Sequence, residues 1–259
     1  VSRISVITVC LNAAATIERT LESAAMQQGV EVEHIVIDGG STDGTLEIVA
    51  RHRGGLAQVV SERDGGLYEA MNKGLALATG DLAGFLNADD RFAGPDVLLG
   101  LAETARRTHA DAVYGDVLQV DALDRPARLI KGAAAPARHL RRGLVPPHPA
   151  FYAKPELMRD AGGFNTVYRR AADFDLMARL LRRPGFRAAH RPGVVTLMRL
   201  GGLSTQGLRG SHAASAEILR SCRANGIDAT RWSVLTRYPL KAREVLNGRL
   251  LRLGGWRPA

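Results

Sequence analysis

The chain has 259 residues, 46% of them hydrophobic, and a formal charge of +9. That length and apolar content suffice for a full core in one large domain and exclude a disordered or fibrous protein. From Arg209 to Ala259, ten Lys or Arg stand against Glu217, Asp228 and Glu244; this segment carries +7 and the preceding 208 residues only +2, so the basicity is that of a C-terminal extension and argues against a nucleic-acid binder.

Ile4-Ser5-Val6-Ile7-Thr8-Val9-Cys10 is a β-branched run of strand length, and Thr16 to Gln28 follows with Ile17, Leu21, Ala24 and Ala25 at helical spacing. The run from Ile4 to Leu11 is too short to span a bilayer, and neither a signal peptide nor a transmembrane helix is expected. Cys10 lies inside that run and Cys222 far away in a basic stretch, so no disulfide framework is indicated and a reducing cytoplasm is expected. His34-Ile35-Val36-Ile37 reads as a second strand, broken by Asp38-Gly39-Gly40-Ser41; Thr42 or Asp43 then caps a helix running to about His52. A strand near Leu56 to Ser61 and a helix from about Leu67 to Ala78 lead to the buried-type run Leu82 to Asn87. This alternation of strands and helices predicts a mainly parallel sheet with helices on both faces.

After Asp90 the pattern loosens. A helix near Pro95 to Thr108 and a strand near Ala112 to Val120 precede an Ala/Pro/Arg-rich stretch from Gly132 to Pro149, which reads as a long loop, either a lid or a surface insertion. Beyond it come Ala150 to Ala153, a helix near Pro155, an apolar-periodic helix from Ala172 to Leu181, and a last strand from Val194 to Leu200. In the basic extension, Ala242, Val245, Leu246, Leu250 and Leu253 form an apolar stripe, with Lys241, Arg243, Glu244, Asn247 and Arg252 mainly elsewhere around the helix. Such a helix lies on an anionic membrane surface or packs against the domain with its basic face in water. The organisation expected is a domain over 1–208, divided near 120 into two halves, and a basic helical extension over 209–259.

Acidic groups fall at the ends of three predicted strands: Asp38, Asp64, and the Asn87-Ala88-Asp89-Asp90 turn. Each alone is ordinary turn chemistry, but ligands of open α/β sheets collect at the carboxyl ends of strands, where these loops converge. A nucleotide accounts for them together: a carboxylate accepts hydrogen bonds from a base or ribose, and a divalent cation held by hard oxygen ligands offsets a diphosphate. No G-x-G-x-x-G loop follows the first strand, and the chain contains no G-x-x-x-x-G-K-[ST] loop, which counts against NAD-linked hydride transfer and P-loop hydrolysis.

The sequence resembles the inverting family 2 glycosyltransferases of the GT-A fold, in their bacterial polysaccharide and glycolipid branch. The resemblance rests on Val6-Ile7-Thr8-Val9 with Asn12, on Ile37 to Thr45, on Gly65 to Gly74, on Ala78 to Asp81 and on Phe85 to Asp90. It continues at His148-Pro149-Ala150-Phe151-Tyr152, Gly162-Gly163-Phe164, Ala172-Asp173-Phe174-Asp175-Leu176 and Gly201-Gly202-Leu203-Ser204. The resemblance implies a glycosyltransferase of the hexosyltransferase type, with Thr8, Asn12, Asp38, Asp64, Asn87, Ala88 and Asp89 around the donor. Uracil is the family's usual base, which implies a UDP-sugar.

The family's Asp-x-Asp motif maps onto Asn87-Ala88-Asp89. Asp89 is then the ligand of Mn²⁺ or Mg²⁺, and neutral Asn87 departs from the pattern by supplying an amide oxygen without charge. The catalytic base falls on Asp173, whereas Asp175, two residues on, is read as structural. His148 could touch the metal, the diphosphate or the acceptor, or be an ordinary loop histidine. Arg199 and Ser204 are acceptor candidates. The expected partners are a nucleotide-sugar donor, a glycan or lipid-linked acceptor and an anionic membrane, contacted from the cytoplasmic face, with no nucleic acid. The competing readings are a sugar-phosphate nucleotidyltransferase, which would want a basic Gly-rich loop where Leu11-Asn12-Ala13-Ala14 stands, and a non-catalytic glycan or nucleic-acid binding module.

Overall fold

The computed structural model describes residues 2–132, 139–201 and 207–256, apart from the side chains of 207–212. Its first half follows the alternation in the sequence: β1 (Arg3–Cys10), α1 (Ile17–Ala25), β2 (Glu31–Asp38), α2 (Thr45–Arg51), β3 (Gln58–Ser61), α3 (Leu67–Leu77) and β4 (Leu82–Phe85). β1 is buried from Ile4 to Cys10, as a central strand covered on both faces must be. It pairs in parallel with β2 and β4, and β2 pairs in parallel with β3. The carboxyl ends of these strands, with their Asp-bearing loops, therefore lie along one edge.

The second half is mixed. β5 (Arg91–Phe92), α4 (Val97–Thr108), β6 (Ala112–Val120) and β7 (Pro126–Ile130) are followed by β8 (Phe151–Ala153), α5 (Pro155–Asp160), α6 (Ala172–Leu181) and β9 (Ala188–Arg199). β8 sits between β4 and β6, antiparallel to both, while β6 and β9 run parallel. Across the described residues the sheet order is β3-β2-β1-β4-β8-β6-β9-β5, with β7 paired to β6. The sheet is parallel through its first half and mixed beyond β4, the frame that the resemblance implies.

Two details differ from the sequence expectation. β7, Pro126-Ala127-Arg128-Leu129-Ile130, lacks a strand-like apolar run and is created by antiparallel pairing with β6. β9 starts six residues before Val194, its Pro192-Gly193 segment taken up by an irregular register against β6. Within the expected long loop, short turns form at Leu140–Arg142 and His148–Ala150, and residues 133–138 lie outside the described set.

Cores form on both faces. One joins α3, α5 and α6 to the sheet through Ile7, Met71, Phe85, Phe164 and Leu176; the other packs α4 through Leu98 and Leu101 against Ile4, Leu82 and Tyr152. Inside the sheet, His34 is 2% exposed and shares a 2.9 Å hydrogen bond with Thr8 Oγ1. Burial pushes its imidazole down to about 4 from the usual 6.5. The unfolded chain takes up this proton at about pH 6.5 and the folded chain only near 4, so stability should fall as pH drops through that window, by about 3 kcal/mol. Urea unfolding at pH 7 and pH 4.5, compared between wild type and His34→Gln, measures this; an equal pH slope in both proteins would refute it.

The basic extension forms α7 (Gly207–Ala224), α8 (Arg231–Leu235) and α9 (Tyr238–Leu253). Ile218, Cys222, Ile227 and Val234 bury themselves with Phe174 and Ala178 of α6. α9 lies on β7 so closely that a Cβ on Gly248 would meet the Ala127 backbone at 2.5 Å. It docks through the face read as polar, with Glu244 ion-paired to Arg128, rather than through its apolar stripe. Leu246, Leu250 and Leu253 remain 57%, 56% and 84% exposed, and nearby Trp232 is 80% exposed.

Candidate active site

The first wall of the site is the loop after β2. Asp38 is fully buried and its carboxylate accepts from the amides of Gly40 and Ser41, both at 3.0 Å, from Ser61 Oγ at 2.7 Å and from Ser41 Oγ. Burial raises its pKa, but these hydrogen bonds outweigh it and hold the carboxyl below its ordinary value. Asp38 thus folds the Gly39–Ser41 turn around itself. Asn12, in the left-handed region at φ 51°, pins the same turn: its Oδ1 accepts from Thr42 N at 2.9 Å and its amide donates to Ser41 Oγ at 2.8 Å. Asp64 comes across from the loop after β3, with Oδ2 placed 2.9 Å from where a Cβ on residue 39 would stand; only glycine lets the two loops approach this closely. Thr8 is different: fully buried and bonded to His34, it supports β1 from within the sheet and does not line an open pocket.

The second wall is the turn after β4. Asn87 Oδ1 is buried with no hydrogen-bond partner, while its Nδ2 donates to Asp90 Oδ2 at 3.3 Å. Burial raises the pKa of Asp89, only partly offset by the Arg199 charge, and burial together with the Asp89 charge raises that of Asp90 to about 8. Two adjacent desolvated carboxylates beside an orphaned amide oxygen form a hard-oxygen donor set that suits Mg²⁺ or Mn²⁺. Among the described residues no group of three His, Cys, Asp or Glu side chains could by itself hold a metal ion, so a cation here depends on ligand oxygens for the rest of its shell.

Arg199 belongs to this wall. Its backbone amide donates to Asp90 Oδ1 at 3.1 Å, and it lines a small cavity with Asp89, Asp90, Arg19 and Arg91. Arg19 and Arg91 are both tied to Asp124 in the β6–β7 turn, at 2.7 and 2.8 Å. The sequence offers no pattern linking Asp124 to this wall; pairing of β6 with β7 brings it there.

The third wall is the start of α6. Asp173, in its first turn, lines an enclosed pocket with His148, Phe85, Phe151, Phe164 and Met177. His148 lies in this aromatic pocket, its ring centroid 5.4 Å from Phe85 and 5.7 Å from Phe164, and does not join Asp89 and Asp90 in a metal-binding cluster. Its Nε2 is sealed from solvent without a partner; burial lowers its pKa and the Asp173 charge raises it. Tyr68 stacks on Phe164 at 5.6 Å, and burial, followed by the Asp173 charge, pushes its hydroxyl pKa up. Tyr68 stands inside the Gly65–Gly74 motif, which was the available signal for it, although no role attached to it there.

Asp175 points away from the pocket. It is 3% exposed and accepts from Ser221 Oγ of α7 at 2.7 Å and Arg179 Nε at 2.9 Å, a structural carboxylate. Glu217 of α7 accepts from the amides of Arg169, Arg170 and Ala171 at 3.2, 2.7 and 3.1 Å, fixing the chain just before Asp173. The basic extension therefore clasps the Asp173 helix at both points. Glu217→Ala should cost about 1–2 kcal/mol in stability and lower turnover about tenfold with little change in donor affinity; unchanged turnover would show that the clasp does not set the Asp173 position. Ser204 lies outside the described residues.

Residues 5–176 match the family model for glycosyl transferase family 2. The chain belongs to that family. An uncharacterized glycosyltransferase of Mycobacterium tuberculosis is 37% identical to this glycosyltransferase over 190 residues, 70% of each chain. A PGL/p-HBAD biosynthesis glycosyltransferase of Mycobacterium bovis is 34% identical over 207 residues, 77% of this chain and 78% of the relative. Among solved structures, a mannosyltransferase of Pyrobaculum calidifontis in complex with GDP-Man and Mn²⁺ superposes with a TM-score of 0.65 at 22% identity, over 98% of this chain and 79% of that one. S. aureus TarS 1–349 in complex with UDP-GlcNAc does so with a TM-score of 0.64 at 21% identity, over 86% of this chain and 65% of that one. At such identities these two neighbours establish the fold that the family 2 glycosyltransferase shares with them. Of a longer TarS chain it spans 43%.

Proposed function

We propose that this glycosyltransferase is an inverting, divalent-metal-dependent enzyme that moves a sugar from a UDP-sugar to a hydroxyl of a glycan or lipid-linked acceptor in cell-surface polysaccharide or glycolipid biosynthesis. What supports this reading is Asp173 in a small enclosed aromatic pocket beside Phe85 at the end of β4, together with the Asp38 and Asp89 loops at the carboxyl ends of β2 and β4. The glycolipid assignment draws on the PGL/p-HBAD relative.

Asp38, Asn12 and Asp64 shape the loop that receives the base; a direct contact from Asp38 to the base would displace one of its present hydroxyl donors. Asp89 and Asn87, with Asp90 behind them, are the residues that would hold the metal, which when bound offsets the charge of the diphosphate leaving group. Asp173 accepts the proton of the acceptor hydroxyl as that oxygen bonds to the anomeric carbon, while the bond from that carbon to the diphosphate oxygen breaks with its electron pair. Attack comes from the face opposite the leaving group, so configuration inverts and no covalent enzyme intermediate forms. Glu217 holds the backbone just before Asp173 in place. Membership of the glycosyltransferase family sets aside the nucleotidyltransferase and the non-catalytic module.

The experiment is a panel of nucleotide-sugars monitored by nucleotide release, with lipid-extract acceptors, with and without EDTA. Release that needs both acceptor and divalent cation supports the reading; release indifferent to EDTA removes the metal from it.

Among the described residues no helix is long and apolar enough to cross a membrane. The outward stripe of α9 instead suits peripheral contact: Leu246 and Leu253 are exposed beside Arg249 and Arg252, apolar anchors within a basic field suited to an anionic cytoplasmic leaflet. The double variant Leu246→Glu/Leu253→Glu should lower partitioning onto phosphatidylserine-containing vesicles at least tenfold in a sedimentation assay. Equal partitioning of wild type and variant would end the membrane reading, and these substitutions spare the packing of α9 on β7.

A further inference from the structure

Between β7, α9 and the segment from His139 to Pro146 lies a groove of about 980 Å³, at the upper end of the range for small-ligand sites. It is separate from the Asp173 pocket and its walls combine two chemistries. Ile130, Leu144, Val145, Leu251 and Trp256 supply an apolar lining. Arg128, Lys131, Lys241 and Arg243 supply positive charge, against a single lining carboxylate, Glu244, which is already ion-paired with Arg128. Among the described residues no carboxylate stands within ion-pair distance of Lys241. Burial and the nearby charges of Arg237 and Arg128 push its ammonium pKa down, outweighing Tyr238 and Glu244, which push it up, and the Tyr238 ring centroid lies 5.7 Å from its Nζ. Cations crowded in a partly desolvated groove repel one another, and an anion placed there relieves that repulsion.

The groove also connects to the site. Val145 packs against the core that contains Phe85, Phe164 and Leu176, and equally against the one formed by α6 with α7. Pro146 lines the groove, and His148, two residues along, lines the pocket with Asp173. One short segment thus borders both spaces, so occupancy of the groove bears directly on the segment that carries His148.

We infer that this groove binds the acceptor itself, as a single amphiphile whose hydrocarbon lies along Ile130, Leu251 and Trp256 and whose anionic group sits among Arg128, Lys131 and Lys241. The inference deepens the proposed transfer to a lipid-linked acceptor and rests on that reading. It differs from membrane contact, which uses the opposite, outward side of α9 and needs a bilayer rather than one molecule. A nucleic acid fits the groove poorly, because Trp256 and His139 are the aromatic rings among its described lining residues and do not provide a stacking series.

The chain has two tryptophans, so Trp232→Phe leaves Trp256 as the sole indole reporter within the groove. In that background, a dibromododecyl phosphate kept below its critical micelle concentration should quench Trp256 fluorescence saturably, with one molecule bound per chain. The uncharged dibromododecanol should bind at least tenfold more weakly. Lys241→Glu should weaken the phosphate at least tenfold and leave the alcohol unchanged, with Lys241→Ala intermediate and circular dichroism reporting that each variant is folded. Absence of saturable quenching, or equal phosphate affinity in all three proteins, overturns the inference. Quenching by vesicles of brominated phosphatidylserine but not by the monomeric phosphate also overturns it, in favour of the bilayer surface. Binding of UDP with Mn²⁺ to the wild-type protein is measured separately by calorimetry. Its loss would strike the transferase reading, whereas its presence without quenching would strike the groove alone.

Discussion

Asp173→Asn should abolish sugar transfer almost entirely while leaving UDP-sugar affinity within a fewfold of wild type. The amide keeps the size and the position in the first turn of α6 but cannot take a proton from the acceptor hydroxyl. A positioned general base contributes on the order of 10²–10⁴ in rate, so a loss of about 10³ in turnover is expected, equivalent to about 4 kcal/mol of barrier. Initial rates with saturating donor and acceptor, alongside calorimetric binding of UDP, separate the two effects. Turnover within tenfold of wild type would transfer the base role elsewhere in the pocket, where His148 is the other ionisable side chain. The pocket wall is apolar around Asp173, so isosteric replacement should cost little stability.

The second large effect is expected from Asp89→Ala. Asp89 shares the burden of two desolvated carboxylates with Asp90, and the orphaned Asn87 oxygen beside them lacks charge. In the proposed mechanism, removing Asp89 takes away the principal anionic ligand for a cation, and kcat/KM should fall about 10²-fold or more, about 3 kcal/mol. Because the like-charge repulsion on Asp90 disappears with it, the metal-free variant should be at least as thermally stable as metal-free wild type. Electron paramagnetic resonance of added Mn²⁺ in the presence of UDP measures the binding itself. Undiminished Mn²⁺ binding by Asp89→Ala would remove it from the ligand set. Restoring charge at the neighbouring position, Asn87→Asp, should strengthen Mn²⁺ binding in wild type, which tests whether the amide there limits affinity.

The half of the fold that was readable is the half governed by local pattern. Continuous β-branched runs identified β1 and β2, and helical spacing identified α1, α3 and α6, because each of these elements is buried by its own periodicity. β7 and the early start of β9 were not readable, since Pro126 to Ile130 and Ala188 to Gly193 become strands only when β6 is present to pair with them. The same division runs through the site. Asp38, Asp64, Asp89 and Asp173 announce themselves by type and by position at element ends, whereas the sequence gives no means of telling that Thr8 turns inward to His34 or that Arg199 bonds Asp90. The apolar stripe of α9 is legible in the sequence, which leaves open whether it faces the domain or outward; Gly248 and the Arg128–Glu244 pair decide it by docking the helix through its polar side.

By itself, then, the sequence determined the family, the alternating α/β frame and the acidic groups that converge at strand ends, because these follow from local periodicity and from residue types whose chemistry is specific. Only the tertiary structure decided that His148 faces Asp173, that the basic extension clasps the Asp173 helix through Glu217 and Ser221, and that α9 closes a cationic groove while baring its leucines. Those are contacts between residues far apart in the chain, fixed by which surfaces pack together, and no local pattern encodes that choice.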